Sequence, residues 1–198
     1  MKHPYGRRCI FINGPAGSGK DTAAYFIKKH FGSSDYKISR PLKAAMRELL
    51  DIHPDTWTKI MNSQELKAIT PHFCNHSYRD LLVSLFKAWV SPVLGEAYLG
   101  ECAARYLEGV TNPSTLWTIS DAGVADELVP IIHIFGHDNC ALINIERPGC
   151  SFDNDCRSVV NGSDLDIACT TIVNKFDLEL FEHQCVRAVV GFWPELGE

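Results

Sequence analysis

The stretch from Arg8 to Thr22 reads RCIFINGPAGSGKDT and carries the strongest structural signal in the chain. Its first six residues are an apolar run without strict alternation, which favours a strand buried on both faces of a parallel sheet. The rest, from Gly14 to Thr22, nearly completes the pattern G-x-x-x-x-G-K-[ST], in which a glycine-rich loop joins a strand to a helix. We therefore predict a strand, a loop whose backbone N–H groups bind phosphate, and a helix, in that order.

The side chains of this loop have separate predicted roles. Lys20 reaches the β- and γ-phosphates of a nucleotide. Asp21 stands where the pattern has Ser or Thr, and its carboxylate could bind Mg²⁺ directly or through waters, or repel the phosphates until the metal arrives. Thr22 could contact the α-phosphate or take the metal role instead. The predicted nucleotide-binding residues of the loop are Gly14, Ala16, Gly17, Ser18, Gly19, Lys20, Asp21 and Thr22.

Apolar runs and helical patterns alternate along the rest of the chain. Such alternation predicts an α/β fold, a three-layer α/β/α sandwich around a mostly parallel sheet of about five strands. Ser39 is the predicted N-cap of the second helix, with Pro41 in its first turn. Further predicted strands lie at 36–39, 116–120, 141–146 and 169–173. Predicted helices follow the loop and lie at about 40–49, 78–90, 96–107, 124–135 and 178–190.

A chain of 198 residues suits a single domain with two additions. The mostly helical stretch at about 52–110 is predicted to be a substrate-binding insert. Its helix at 78–90 has an apolar stripe that includes Phe86 and Trp89. The stretch at about 149–166, rich in Gly, Ser, Asn and Asp, is predicted to be a short mobile lid.

The charge balance limits what the protein can bind. There are 19 Lys and Arg residues against 24 Asp and Glu residues, which gives a formal net charge of -5. Such a chain lacks the broad positive field with which proteins hold nucleic-acid polymers or anionic membranes. Any anionic ligand must therefore be held locally.

The cysteine pattern favours a reducing compartment. The eight cysteines contain no C-x-x-C pair, and the apolar stretch Cys9 to Ile12, which follows a polar start, is too short for a signal peptide or a membrane span. We interpret the cysteines as reduced thiols and expect a cytoplasmic protein. Two patterns, His72-x-Cys74-x-His76 and the i, i+4 pair of His133 and His137, could bind zinc, but each lacks a third and fourth ligand at suitable spacing.

Charged residues outside the loop are further candidates for function. Asp121 follows a predicted strand, where open α/β sheets bind ligands, although such an Asp also commonly caps the next helix. Arg147 follows another predicted strand and Arg157 lies in the predicted lid; each could settle on a transferring phosphoryl group or be solvated. Three more cations near predicted helix starts could clamp a second, anionic substrate: Arg40, Lys43 and Arg79.

Taken in order, these motifs resemble the bacteriophage deoxynucleoside monophosphate kinases. The resemblance covers roughly residues 8 to 190. Besides the loop, it is carried by Ser39-Arg40-Pro41-Leu42-Lys43, Ser77-Tyr78-Arg79-Asp80-Leu81-Leu82, a strand ending in Asp121, Ile145-Glu146-Arg147-Pro148-Gly149 and a final strand ending in Asn174.

The resemblance implies a P-loop kinase that moves the γ-phosphate of ATP, with Mg²⁺, onto a deoxynucleoside 5′-monophosphate. It implies that Lys20, Asp121 and Arg157 are catalytic, and that Arg147 and Asn174 border the ATP nucleotide. The residues implied to face the monophosphate are Lys43, Arg79 and Asp121, with Arg40 as a further candidate. Many relatives carry an arginine two positions after Asp121, where this chain has Gly123, so the grip on base or phosphate differs there.

Other functions are compatible with the same residues. One is another small-molecule kinase of this fold, acting on dephospho-coenzyme A or phosphomevalonate. A different class is a P-loop ATPase or a nucleotide-sensing module whose hydrolysis drives a partner. For the kinase, the expected partners are ATP and a deoxynucleoside monophosphate, in the host cytoplasm if the chain is phage-encoded, and a homodimer is compatible with the sequence.

Overall fold

Parallel strands form a single sheet in the computed structural model. The described residues are 6–63, 65–68, 71–111, 114–153 and 157–197. The strand order across the sheet is β2-β3-β1-β4-β5, and the four neighbouring pairs are all parallel. Within the described residues the strands are β1 (Arg8–Asn13), β2 (Ser34–Tyr36), β3 (Leu116–Ile119), β4 (Cys140–Glu146) and β5 (Ala168–Val173).

Helices connect and flank these strands. A π-helical turn at Phe86–Val90 joins two of them. In the part of the chain that the structure describes, no helix is both long enough and apolar enough to cross a membrane. The α-helices are α1 (Lys20–Phe31), α2 (Arg40–Leu49), α3 (Pro54–Asn62), α4 (Tyr78–Leu85), α5 (Ser91–Leu94), α6 (Tyr98–Gly109), α7 (Ala125–Phe135) and α8 (Leu178–Phe192). Short 3₁₀ turns lie at Pro71–Phe73, His137–Asn139, Gly162–Leu165 and Pro194–Gly197.

The strand order determines which helices lie on which face of the sheet. The connection from β1 to β2 runs in one direction across the sheet, whereas those from β2 to β3 and from β3 to β4 run in the other. Because such parallel connections are right-handed, α1 lies on one face and α6 and α7 lie on the opposite face. The result is the predicted three-layer α/β/α sandwich, with β1 as its central strand.

The core on the α1 face joins two helices to the sheet. The Phe26 ring of α1 meets the Phe181 ring of α8 edge to face, with the ring centroids 6.1 Å apart. Both belong to a buried cluster that includes Ile12 of β1 and Ile143 of β4. Burial of aromatic and aliphatic side chains of this size stabilises each helix against the sheet by about 1.5–3 kcal/mol per side chain. The loop between β1 and α1 is therefore supported by a packed base.

The chain divides into two compact units, residues 39–99 and the remainder. The larger unit contains the sheet with α1, α7 and α8. The smaller unit contains α2 to α5. Inside it, the Tyr78 ring packs against Trp57 and against the buried Phe73, with ring centroids 5.9 and 5.8 Å apart.

Two elements differ from their predictions. The strand predicted at 36–39 instead spans Ser34–Tyr36, because the N–H of Ile38 donates to the Asp121 carboxylate at 2.8 Å rather than continuing the ladder. In the helix predicted at 78–90, the π-helical turn adds a residue to one turn, so Val90 is buried and Trp89 is 53% exposed. The prediction that Trp89 belongs to a buried stripe is wrong.

Candidate functional site

The loop after β1 has the backbone that a phosphate-binding turn requires. Gly17 and Gly19 have φ values of 78° and 106°, in the left-handed region that glycine adopts at little cost. Gly19 is the N-cap of α1 and has no side chain to occupy the space in front of the helix. Because the first N–H groups of a helix have no partner within the helix, this end suits an anion.

Lys20 folds back over the loop. Its Nζ donates to the carbonyl oxygens of Gly14 and Pro15, each at 2.6 Å. The ammonium therefore lies on the curled backbone that it is predicted to share with a bound phosphate. Its side chain is only half-buried, so a rotamer change can move the ammonium onto a ligand.

Close packing leaves room only for glycine at two positions of the loop. A Cβ atom on Gly14 would lie 2.6 Å from Ser18 Oγ and 2.7 Å from the Ile145 carbonyl oxygen. A Cβ atom on Gly19 would lie 2.7 Å from Asn174 Nδ2. Real Cβ contacts are longer than this, so the sheet and the residue after β5 leave no room for side chains in the loop.

The side chains of Asn174 and Arg147 donate hydrogen bonds to carbonyl oxygens of the loop. The buried Asn174 side chain donates to the Ser18 carbonyl oxygen at 2.9 Å. One Arg147 Nη donates to the Gly17 carbonyl oxygen at 2.7 Å, and the guanidinium lies 4.4 Å from the centre of the Phe176 ring. The structure thus brings both residues to the loop, and their implied place beside the ATP nucleotide stays a prediction. Sequence reasoning missed Phe176, which lies two residues beyond Asn174.

A charged cluster lies at the carboxyl edge of β2 and β3. The Lys37 ammonium contacts the Asp21 carboxylate and the Ser120 hydroxyl, and lies 3.7 Å from Asp35 Oδ2. Burial alone would lower the pKa of Lys37, but the hydrogen bond to Asp21 and the charges of Asp35 and Asp21 outweigh it and raise that pKa. Burial raises the pKa of Asp35, and the nearby Lys37 offsets part of that rise.

Sequence reasoning missed Lys37, although a usable signal exists. Lys37 comes directly after β2, just as Asp121 comes shortly after β3. Carboxyl ends of parallel strands meet at one edge of the sheet, where ligands bind. The reasoning that selected Asp121 applies equally to Lys37. Lys37 was missed because the second strand, predicted at 36–39, was placed two residues too late and therefore included Lys37.

Arg157 lies against Gly123. A Cβ atom on Gly123 would come within 2.4 Å of Arg157 Cδ and 2.5 Å of its Cγ. The next residue, Ser158, donates its N–H to the Gly123 carbonyl oxygen at 3.1 Å. Glycine at position 123 therefore makes room for the Arg157 side chain beside the residues that follow β3.

The buried Asn13 side chain fastens the second half of the predicted lid to the end of β1. Its Nδ2 donates to the carbonyl oxygens of Ala122 at 2.8 Å and Ser158 at 3.0 Å. The N–H of Val160 donates to Asn13 Oδ1 at 3.4 Å. Residues 154–156 of the predicted lid lie outside the described residues.

A cavity of about 450 Å³ opens beside the loop, on the side of β4 and β5. It is bordered by the loop itself, by the two strands and by the beginning of the predicted lid. Its lining includes Gly14, Pro15, Asn144, Cys150, Val159 and Thr171.

Three of the four predicted acceptor residues belong to the smaller unit, whereas Asp121 belongs to the larger one. Arg40 is the first residue of α2 and is exposed, whereas Lys43 and Arg79 are half-buried. Arg79 lies in the first turn of α4, where Ser77 accepts the Asp80 N–H at 3.1 Å. Ser39 occupies the N-cap of α2, but its side chain makes no capping hydrogen bond, because its backbone is already helical.

A magnesium ion fits the site as a companion of phosphate. Within the described residues, no three His, Cys, Asp or Glu side chains are placed to hold a metal by themselves. Mg²⁺ at nucleotide sites, however, usually takes one or two protein oxygens together with phosphate oxygens and waters. Asp21 offers an 86% exposed carboxylate beside Lys20, and Thr22 follows in the first turn of α1. These oxygens suit an ion that arrives with its nucleotide.

Comparison with known proteins yields likenesses in three-dimensional structure only. No protein-family model matches the chain, and no curated protein matches it. The protein TT1252 from Thermus thermophilus is 17% identical, with a TM-score of 0.49 over 97% of this chain and 99% of that one. A sugar kinase from Janibacter sp. HTCC2649 is 12% identical, with a TM-score of 0.43 over 96% and 98% of the two chains.

Proposed function

We propose that the protein is a P-loop kinase that transfers the γ-phosphate of ATP to a deoxynucleoside 5′-monophosphate. The observation that carries the proposal is the loop between the central strand β1 and α1. It combines left-handed glycines at positions 17 and 19 with the Lys20 ammonium lying on its backbone. This combination is a phosphate-binding device at the carboxyl edge of a parallel sheet, where ligands of such sheets bind.

The proposed phosphoryl transfer depends on positioning the two phosphates more than on removing a proton. An oxygen of the acceptor monophosphate is already anionic at neutral pH, so no strong base is needed. The protein has to hold two phosphates in line and to offset charge as it moves from one to the other. Lys20 and Arg157 are proposed for that role, and Arg147, which donates to the Gly17 carbonyl oxygen, is proposed to border the ATP nucleotide.

Magnesium would accompany ATP. When bound, it supplies positive charge between the phosphates, and Asp21 and Thr22 are the residues proposed to hold it. Asp121 accepts the N–H of Ile38 and so organises the end of β2. From this place at the edge of the sheet, Asp121 is proposed to face the acceptor.

The proposed class of acceptor, a deoxynucleoside monophosphate, rests on the order of the motifs along the sequence. Arg40, Lys43 and Arg79 supply three cations in the unit 39–99, and guanidinium groups suit bidentate contacts to phosphate. The deoxynucleotide class comes from the resemblance to the phage kinases. An acceptor panel is therefore the decisive experiment.

The experiment measures transfer from radiolabelled ATP with Mg²⁺ to each deoxynucleoside monophosphate, to dephospho-coenzyme A and to phosphomevalonate. We expect a labelled deoxynucleoside diphosphate, and we expect the Lys20→Ala variant to form none while keeping the circular dichroism spectrum of the parent protein. Lys29→Ala is the matched control, because Lys29 lies at the far end of α1 and pairs with Glu182 at 2.5 Å.

Three results would contradict the proposal. Transfer to dephospho-coenzyme A or phosphomevalonate alone would identify another small-molecule kinase. Phosphate release that is rapid without any acceptor would identify an ATPase or a sensing module. An active Lys20→Ala variant would remove the basis for assigning the loop to phosphate binding.

A further inference from the structure

Lys37 lies beside the loop that is proposed to bind the phosphates of ATP. It follows β2 directly, and its ammonium contacts the carboxylate of Asp21, the residue after the loop lysine. Asp21 stands at the position where the loop pattern has a hydroxyl group. The contact therefore joins the edge of the sheet to the one unusual residue of the loop.

The surroundings of Lys37 are built to hold its ammonium in place. The side chains of Thr118 and Ser120, both almost fully buried, donate to Asp35 Oδ1 at 3.1 Å each. Ser120 also accepts a hydrogen bond from Lys37, whose Nζ lies 3.7 Å from Asp35 Oδ2. Two strands thus fix the lysine, and Asp21 is its partner on a different element, α1.

A carboxylate at position 21 poses an electrostatic problem. Its side chain is 86% exposed at the N-terminus of α1, directly beside the lysine that is proposed to bind phosphate. A negative charge next to Lys20 repels a triphosphate bound at the loop, and the repulsion is strongest at low ionic strength. An ammonium held against the carboxylate cancels most of this effect.

We propose that Lys37 is a positioning residue that neutralises Asp21 and so allows a carboxylate to stand in the phosphate-binding loop. The proposal rests on the proposed binding of ATP at that loop. It makes the two residues interdependent, since Lys37 is needed only while Asp21 carries a charge. It also separates Lys37 from Lys20, which is proposed to touch the phosphates itself.

The experiment is a double-mutant cycle read by ATP affinity rather than by activity. Isothermal titration calorimetry with ATP, in EDTA and at low salt, compares the parent protein with Lys37→Met, Asp21→Asn and the double variant. Methionine keeps much of the length of the lysine side chain but removes its charge. We expect Lys37→Met to weaken ATP binding at least about fivefold, an effect that shrinks as salt is added. We expect the double variant, which lacks both charges, to bind ATP about as tightly as the parent protein, in which the two charges offset each other.

Matched variants isolate the effect of charge at this place. Lys29→Met also removes a lysine that is paired with a carboxylate, but at the other end of α1, and should leave ATP affinity unchanged. Lys37→Arg keeps the charge and should bind ATP within about twofold of the parent protein. Asp21→Asn should bind ATP at least as tightly as the parent protein in EDTA, and this arm does not depend on the folding of any Lys37 variant.

Distinct outcomes overturn the inference. Parent-like affinity in Lys37→Met would show that Asp21 needs no counter-ion. A double variant as weak as Lys37→Met would make Lys37 a direct ligand of the phosphates. Weaker binding by Asp21→Asn in EDTA would show that its charge is no obstacle to ATP. Failure of the parent protein itself to bind ATP would overturn the proposed function together with this inference, and is recognisable before any variant is made.

Discussion

At the scale of single residues, Gly123 and Arg157 form a complementary pair. Gly123 has no side chain at the place where the Arg157 stem passes, and a Cβ atom there would lie 2.4 Å from Arg157 Cδ. The side-chain stem of Arg157, from the predicted lid, thus occupies the space beside position 123. Glycine at position 123 therefore leaves the space that the Arg157 stem occupies.

We expect Gly123→Ala to displace Arg157 and to lower the rate of phosphoryl transfer at least about tenfold, with little change in ATP affinity. The added methyl group would lie 2.4–2.8 Å from Arg157 Cδ, Cγ and Cβ, so the backbone at Arg157 has to shift as well, and the circular dichroism spectrum of the variant shows whether the fold persists. Steady-state kinetics together with ATP titration measure the two effects. Gly191→Ala in α8 is the control, since a Cβ atom there meets nothing within 4 Å. Unchanged turnover in Gly123→Ala would remove Arg157 from the proposed mechanism.

The buried thiols provide a second prediction at this scale. Burial raises the pKa of Cys140 and of Cys185 to about 12, and raises that of Cys9 well above its ordinary value. Only the thiolate reacts with alkylating reagents. In native protein at pH 8, we expect iodoacetamide to modify the exposed Cys74 and Cys169 and to spare the three buried thiols, as peptide mass spectrometry will show. Modification of Cys140 at the rate of Cys169 would contradict the burial of β4.

The same thiols give stability a dependence on pH. In the unfolded chain they ionise near pH 8.5, whereas in the folded protein they keep their protons up to about pH 12. The folded state binds more protons in that interval, so the free energy of unfolding falls as pH rises from about 9. Thermal melts of the parent protein and of Cys185→Ala between pH 8 and pH 10.5 measure it, and the variant should show the smaller slope.

At the scale of elements, the loop depends on the residue directly after β5. The Asn174 side chain supports the Ser18 carbonyl oxygen at 2.9 Å in a buried position. We expect Asn174→Ala to lower the free energy of unfolding by about 1–3 kcal/mol, because it leaves that oxygen without its donor. We also expect it to weaken ATP binding several-fold.

Asn139→Ala is a suitable control for Asn174→Ala. The Asn139 side chain also donates to a backbone carbonyl oxygen, that of Phe135 at 3.0 Å, but at the end of α7. Both variants should lose stability in denaturant unfolding, and only Asn174→Ala should lose ATP affinity. Equal affinities in the two variants would show that the loop holds its shape without Asn174.

The helices and strands also show how much of the fold could be predicted from the sequence. The strand over Arg8–Asn13 and the helix from Lys20 follow the predicted order because local pattern and buried position agree there. The π-helical turn at Phe86–Val90 was out of reach, since an extra residue in a turn has no periodic signature. Lys37 could have been selected from its place after β2, but its contacts with Asp21 of α1 and with Ser120 after β3 could not, because they depend on the packing of distant elements. Contacts between distant parts of the chain are set by topology rather than by local sequence.

At the scale of the whole molecule, the net charge of -5 and an anionic ligand are compatible because charge is arranged locally. Lys20 and Arg147 lie on the loop, and Lys37 offsets the nearest carboxylate. A broad positive surface is unnecessary when a few cations and backbone N–H groups face one spot. Binding should accordingly depend on these few residues and little on remote charges.

Ligand binding should stabilise the whole molecule measurably. At 100 times its dissociation constant, ATP is expected to add about 2.7 kcal/mol to the free energy of unfolding. For a chain of this size, that raises the melting temperature by about 5 to 10 °C. Differential scanning fluorimetry with ATP and Mg²⁺ measures the shift, and Lys20→Ala should abolish most of it. A full shift in that variant would place ATP elsewhere.

The loop is already tied down before any ligand arrives. Asn174 holds the Ser18 carbonyl oxygen, Arg147 holds that of Gly17, and Lys20 holds those of Gly14 and Pro15. Much of the conformational entropy that an anion-binding turn loses has therefore been lost during folding, and the loop is preorganised. Lys20 occupies the space over the loop backbone, so in the proposed function ATP has to displace this side chain but does not have to order the loop. The proposed binding of ATP therefore needs one side-chain rearrangement, in which the Lys20 ammonium exchanges two carbonyl oxygens for phosphate oxygens.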